Sequence, residues 1–438
     1  MSLLIRGARI VDAHRDLVGD VLVEGDRIAA VGVVVPGRAA GVARVIEGAG
    51  RAVIPGFVNT HTHAAMVLFR GYTDDVPLME WLEQKIWPVE RHLGPEHVLA
   101  GTKLAALEML CSGTTAFHDM YFHGPSAAAG AQALGVRAVI SQVFFDVFEK
   151  RDVAAVMADV EAGLQALSAF ANVSASVGPH APYTTTLPAL TAAYALAEKH
   201  DTVVHFHIAE TEGEMLTFRE KHGRGLVAAL DAAGFLGPRL VAAHGIFLDA
   251  DDARVLGQRG VTISHCPSSN MKLSSGYSAT GARALPYATL HQAGVRVALG
   301  TDGAATNNTL DMFEAMKLAA LLQKHTTGRA AALTAHEAFA MATVHGAEAL
   351  RIDAGLVAPG RRADLLLIDL ERPYFCPGHD LIADLVYAGR PDCVDTVVVG
   401  GKVVLDGRRH PETRAILAEA KAAADDLFAR AKAAASAV

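Results

Sequence analysis

Between residues 53 and 355 apolar strands alternate with Ala/Leu-rich helical stretches, and the segments on either side carry short strands of antiparallel character. With a composition that is 51% apolar and includes 40 glycines, these observations predict an α/β chain. The expected architecture is a (β/α)8 TIM-type barrel joined to a composite β-sandwich domain built from both chain ends. The expected division is 1–54 plus 356–410 for the sandwich, 55–355 for the barrel and 411–438 for a C-terminal helix.

Each part follows from its own pattern. Residues 3 to 34 hold four short strands, at Leu3 to Ile5, Ile10 to Val11, Asp20 to Val23 and Ile28 to Val31, with turns at Glu24-Gly25-Asp26 and Gly32. The same pattern returns at Ala363 to Asp369 and Asp395 to Leu405. Between them eight strands are expected, at 53–58, 114–117, 137–143, 173–177, 203–207, 240–244, 261–264 and 296–300. Helices such as Glu96 to Leu110, Asp152 to Ala169 and Leu187 to Lys199 separate them, and eight such units favour a closed barrel over an open sheet. The tail from Glu412 to Ala437 reads as an amphipathic docking helix carrying Ile416, Leu417, Leu427 and Phe428.

Composition also excludes classes of function. At 438 residues and 20% charged the chain is neither disordered nor fibrous, and a net charge of −8 without a Lys/Arg run offers no footprint for nucleic acid. No apolar run approaches the roughly 18 residues of a membrane span, and the N-terminus turns polar too early for a signal peptide. Cys111, Cys266, Cys376 and Cys393 form no Cys-x-x-Cys pair. The expectation is a cytoplasmic homo-oligomer that acts on a small molecule and engages neither nucleic acid nor membrane.

In a barrel of this kind the site lies at the carboxyl ends of the strands. The first strand ends in Asn59-Thr60-His61-Thr62-His63, where alternation puts His61 and His63 on one face. Strand five ends at His207, strand six at His244 and strand eight at Asp302. His61, His63 and His207 supply three neutral ligands for one divalent metal, with Zn2+ the usual occupant and Fe2+ the alternative. Asp302 is a fourth ligand that can also take a proton from water, and Glu210, three residues past His207, suits proton delivery to a leaving group. His205 lies one layer deeper and reads as a packed or hydrogen-bonded barrel residue. His118, His123 and His265 read as satisfied polar residues, His265 with a supporting role as its alternative. Strand four ends at Gly178-Pro179-His180 with no Lys or Glu to bridge a second metal, which leaves His180 to face substrate or to serve the turn.

These residues resemble the amidohydrolase superfamily, and within it the 5′-methylthioadenosine/S-adenosylhomocysteine deaminases. The resemblance covers essentially the whole chain and rests on Pro55 to His63, Leu68 to Gly71, Asp75 to Leu82, Ile86 to Glu90, Gly178 to Tyr183, His207 to Thr211, Ala243 to Gly245, Ser269 to Leu273 and Gly300 to Ala305. It implies metal on His61, His63, His207 and Asp302, with Glu210 and His244 around the attacking water. It also implies Trp81 and Glu90 against a nucleoside, with Glu90 and His180 bonding the ribose hydroxyls. The reaction implied is hydrolytic deamination of an adenine nucleoside, by 5′-methylthioadenosine, adenosine or S-adenosylhomocysteine deaminase chemistry. Deamination of guanine, 8-oxoguanine or aminofutalosine, s-triazine hydrolysis, and a non-catalytic scaffold are the alternatives. The sequence departs from the family pattern twice. Gly276 to Gly294 is longer than usual and is expected to reshape the pocket mouth. Gln142 stands where an arginine meeting an amino-acid carboxylate is expected, so S-adenosylhomocysteine is disfavoured unless Arg151 or Arg283 replaces that charge.

Overall fold

The structure, a computed structural model, describes residues 2–34, 37, 41–147 and 151–436. The N-terminal strands are β1 (Ser2–Asp12), β2 (Arg15–Glu24), β3 (Arg27–Gly32), β4 (Arg44–Glu47) and β5 (Arg51–Pro55). Then follow β6 (Phe57–Thr62), β7 (Thr114–Asp119), β8 (Arg137–Phe144), β9 (Val173–Pro179), β10 (Val204–Ile208), β11 (Leu240–His244) and β12 (Thr262–His265). A short hairpin, β13 (Tyr277–Ser278) and β14 (Gly281–Ala282), precedes β15 (Arg296–Leu299). The chain closes with β16 (Leu365–Asp369), β17 (Val394–Val399) and β18 (Lys402–Leu405).

Both chain ends contribute to one eight-stranded sheet, ordered β18-β17-β16-β5-β1-β2-β3 with β4 on β1. The period-2 alternation of its strands divides its side chains between two cores. Val53, Leu365 and Leu367 pack within the sheet's own cluster with Ile5, Ile10 and Val21. Their neighbours Ala52, Ile54, Leu366 and Ile368 join the core of the barrel. Each large aliphatic side chain so buried contributes roughly 1.5–3 kcal/mol. A buried bidentate pair ties the two bodies, Arg137 donating to Asp364 at 2.9 and 3.1 Å.

The second sheet holds eight strands in the order β15-β12-β11-β10-β9-β8-β7-β6, all parallel, as a (β/α)8 barrel requires. The expected first strand at 53–58 is in fact two: β5 belongs to the end sheet and β6 to the barrel. The break falls at Gly56, where any Cβ would overlap the side chain of Thr115. First and last strands meet through side chains as well as backbone. Thr60 Oγ1 donates to the Leu299 carbonyl at 2.9 Å, Thr301 N–H donates to Asn59 Oδ1 at 3.0 Å, and Asp302 N–H donates to the His61 carbonyl at 3.0 Å. Those bonds place Asp302 beside the His-x-His segment.

The tail forms one helix, Thr413–Ser436, and Ala437 of the expected range lies outside the described residues. Ile416, Ala420 and Leu427 are its buried face. Phe428 packs against Phe69 and Tyr72 with ring centroids 5.8 and 4.6 Å apart, and His97 Nε2 lies 2.9 Å from Asp426 Oδ2. The helix thereby braces the segment that follows His63. Among the described residues no helix is long and apolar enough to cross a membrane.

Candidate active site

His61, His63 and His207 converge as the strand alternation predicts, with ligand atoms all within 4.8 Å of one another. Each ring is turned by a bond to its far nitrogen. His63 Nδ1 lies 2.6 Å from the Met120 carbonyl and His207 Nδ1 lies 2.7 Å from the His180 carbonyl, so both carry a proton there and present a bare Nε2. His61 Nδ1 lies 2.7 Å from His205 Nε2, and the chain continues from His205 Nδ1 to Ser141 Oγ at 3.0 Å. Ser141 Oγ is 2.9 Å from Ser176 Oγ, which is 2.8 Å from His118 Nε2. With donors taken in that direction, each link of the chain pairs one donor with one acceptor and His61 Nε2 is left as a lone-pair donor, while at the far end the buried His118 Nδ1 has no hydrogen-bond partner among the described residues. His61 Nε2 is fully buried and has no hydrogen-bond partner among the described residues. Burial holds His61 neutral, with its pKa lowered to about 4, and holds His205 and His118 well below the ordinary imidazole value. His205 is thus the hydrogen-bonded inner residue expected, and it acts on His61.

Asp302 completes the cluster. Its Oδ1 is 3.3 Å from His63 Nε2 and 3.6 Å from His61 Nε2, while Oδ2 accepts from Ser269 Oγ at 2.7 Å. Burial pushes its carboxyl up, but the neighbouring imidazoles prevail and hold it well below the usual carboxylate range. Three neutral nitrogens, one of them the orphaned His61 Nε2, and one ionised carboxylate form a donor set that fits a divalent metal.

Glu210 and His244 flank this cluster, with His244 Nε2 3.7 Å from Glu210 Oε2. Burial raises the Glu210 carboxyl above its ordinary value, and Ser275 Oγ donates to its Oε1 at 3.0 Å. His244 Nδ1 faces the Asn270 amide at 2.9 Å. Three residues at the strand ends have left-handed backbone: Ala209 (φ 50°), His244 (φ 77°) and Asp302 (φ 61°). Such conformations are strained for residues with a Cβ and concentrate where side chains must be re-aimed.

The opposite wall comes from outside the barrel. Residues Leu78–Glu90 form a helix whose middle, Trp81–Ile86, is π-helical, a distortion frequent at functional sites. Trp81, Trp87 and Glu90 line the same pocket as His63, His180, His207, Glu210, His244 and Asp302. Tyr121 donates to Glu90 Oε1 at 2.7 Å, and burial raises the Glu90 carboxyl despite that bond. His180 accordingly both faces the pocket and orients His207 through its carbonyl; its Nδ1 lies 3.0 Å from Thr184 Oγ1.

Four expectations need correction. Gln142 does not face the pocket, because β8 turns it outward against Gly124 and Gly163, where an added Cβ would meet its amide. The pocket-facing residues there are Val143 and Phe145. Arg151 is paired with Asp159, and Arg283 sits over the Phe247 ring at 5.6 Å; among the described residues neither lines the pocket, and no Lys or Arg does. The long stretch 276–294 folds as the β13–β14 hairpin and the helix Tyr287–Gln292, and it borders a neighbouring cavity beside His265 and Asn270 instead of the mouth. His265 is buried, but among the described residues neither ring nitrogen has a partner, so it is not the satisfied residue expected. His118 is bonded at Nε2 through Ser176, but its buried Nδ1 has no partner among the described residues; exposed His123 occupies the N-cap position of the helix Gly124–Leu134 without a side-chain cap bond, its Nε2 3.4 Å from the Leu93 carbonyl.

Sequence reasoning missed Tyr121, Ser269, Asn270, Ser275 and Glu214 as contacts of the site. Ser269 and Asn270 stood in a quoted motif, and Glu214 stands at the capping spacing after Thr211; Tyr121 and Ser275 carry no signal in spacing, because they meet the site only through tertiary folding.

A profile of the amidohydrolase family matches residues 52–404, and the chain belongs to that family. It is 46% identical over 405 residues to 5-methylthioadenosine/S-adenosylhomocysteine deaminase 1 of Archaeoglobus fulgidus, covering 92% of this chain and 93% of that one. It is 43% identical over 431 residues to 5′-deoxyadenosine deaminase of Methanothermobacter thermautotrophicus, covering 97% and 99%. Among solved structures, an adenosine deaminase from Xanthomonas campestris with bound zinc superimposes with a TM-score of 0.90 at 34% identity, covering 98% of each chain.

Proposed function

We propose that the protein is a metal-dependent hydrolytic deaminase of adenine nucleosides bearing a small apolar 5′ group. The observation that carries this reading is the two-walled pocket: Glu210, His244 and Asp302 on one side, and Glu90 braced by Tyr121 on the other. His61, His63, His207 and Asp302 would hold one divalent metal, zinc before iron(II). When bound, such an ion lowers the pKa of water to around 7 and so supplies a nucleophile at neutral pH.

The chain's own groups account for the protons. Asp302 takes one proton from the water that attacks the amino-bearing ring carbon and passes it to the departing amine, which leaves as ammonia. Glu210, raised by burial and so able to hold a proton, delivers it to the adjacent ring nitrogen. It regains one from the new hydroxyl as the carbonyl forms. With Asn270 donating to its Nδ1, His244 carries its proton on Nε2, aimed toward the oxygen that gains charge. Glu90 accepts from vicinal ribose hydroxyls together with His180, and Trp81 packs against the nucleoside. Phe122, Val143 and Phe145 add an apolar stretch to the lining, which suits a methylthio or deoxy 5′ end better than a carboxylate.

The test is ammonia release across adenosine, 5′-methylthioadenosine, 5′-deoxyadenosine, S-adenosylhomocysteine, guanine and an s-triazine, with elemental analysis of the same preparation. Turnover of adenine nucleosides with about one metal per chain supports the reading. Turnover confined to guanine or the triazine contradicts it, as does full activity in verified metal-free protein.

A further inference from the structure

Glu210 does not sit on a strand. β10 ends at Ile208, Ala209 turns back through φ 50°, and the helix Glu212–His222 begins two residues past Glu210. A positive φ at alanine persists only where surrounding groups hold it. One side chain holds this turn. Glu214 Oε1 accepts the Ala209 N–H at 2.8 Å, and its Oε2 accepts the Glu210 N–H at 3.1 Å. Glu214 is fixed in turn by its own N–H, which donates to Thr211 Oγ1 at 3.2 Å.

This arrangement differs from ordinary helix capping. A glutamate three residues after the cap usually reaches back to the cap's own N–H and stays in water. Glu214 reaches past the cap residue Thr211 to the two amides before it, and it is buried. Burial pushes its carboxyl up to about 8 even though those two amides pull it down. Stability alone does not favour a carboxyl at this place. What it contributes is a fixed path for the chain between His207 and Glu210.

We propose that Glu214 is a positioning residue for the deamination: by clamping the amides of Ala209 and Glu210 it aims the Glu210 carboxyl at the reacting ring. The proposal rests on the reading of Glu210 as the proton carrier. A carrier held about 1 Å out of line loses rate more than binding, because its bond to the ring nitrogen strengthens only as the transition state forms.

Glu214→Gln keeps the shape but turns an NH2 group toward an amide N–H that needs an acceptor. The experiment compares kcat, KM, metal content and Tm for Glu214→Gln, Glu210→Gln and the double variant. The expected result is a fall in kcat of ~10- to 100-fold with KM changed less than ~3-fold, metal content and Tm retained, and no further loss when Glu214→Gln is added to Glu210→Gln. An unchanged kcat overturns the proposal. So does an equal loss in both backgrounds, which would mark a defect that does not act through Glu210. Full turnover in Glu210→Gln alone would instead refute the proton-carrier reading, and the single variant reports that separately. Should the glutamine variant not fold, Glu214→Asp, too short to span both amides, is judged by the same criteria.

Discussion

The two walls of the pocket are built differently. The reacting wall stands on barrel strands: β6 carries His61 and is followed directly by His63, β10 carries His207, and β11 ends at His244, with Asp302 and Glu210 in the turns just past β15 and β10. The recognition wall stands on an excursion, the helix Leu78–Glu90 with its π-helical middle, fastened by the bond from Tyr121 to Glu90. A rigid scaffold suits groups that must be aligned within fractions of an ångström, while an excursion from it can vary with the substrate to be selected. Damage to the first wall should therefore appear in kcat or metal affinity, and damage to the second in discrimination.

The largest effect is expected at Glu210. Glu210→Gln removes the transferable proton and should lower kcat at least ~100-fold with metal content retained. Simultaneous loss of metal would make Glu210 a ligand and redraw that wall. On the opposite wall, Glu90→Gln weakens charge-assisted bonds to the ribose and should cut kcat/KM for adenosine roughly 10- to 150-fold, from about 1.5–3 kcal/mol. Free adenine, which has no ribose, should respond little; an equal fall for both would erase the distinction between the walls.

How much of this was legible follows the same division. The reacting wall could be read because strand periodicity and strand ends locate it: His61, His63, His207, His244 and Asp302 each close a stretch of strand-forming residues. The recognition wall gave no such periodic signal, and Trp81 and Glu90 were found only by resemblance. Gln142 misled because one residue of register on β8 decides between pocket and helix layer, and Val143 takes the inward place. The break at Gly56 was hidden because two sheets share one apolar run. Carbonyl partners such as Met120 and His180 depend on tertiary geometry that residue type does not encode, and Thr211 to Glu214 has the spacing of an ordinary cap, which hides the reach back to Ala209.

The deeper layer of the reacting wall gives a smaller effect. His205→Phe removes the acceptor for His61 Nδ1 and should weaken metal affinity ~10- to 100-fold in competition with a chelator, while kcat at saturating metal stays near the parent value. Unaltered affinity would reduce the His205–Ser141–Ser176–His118 chain to core packing. Smallest is the preference at the 5′ end. With no cation on the described lining, 5′-methylthioadenosine should exceed S-adenosylhomocysteine in kcat/KM by roughly 10-fold or more, and a clear preference for the latter would place a cation there after all.

The central claim is that one wall deaminates an adenine ring that the other holds by its sugar. It is tested most directly by kcat/KM for 5′-methylthioadenosine and for free adenine on the same metal-loaded enzyme, followed by ammonia release. The account predicts ammonia from the nucleoside with an efficiency at least ~10-fold above that for the base, the lower end of the scale of a lost charge-assisted contact. Equal efficiency for the two, or no ammonia from any adenine nucleoside, would contradict it.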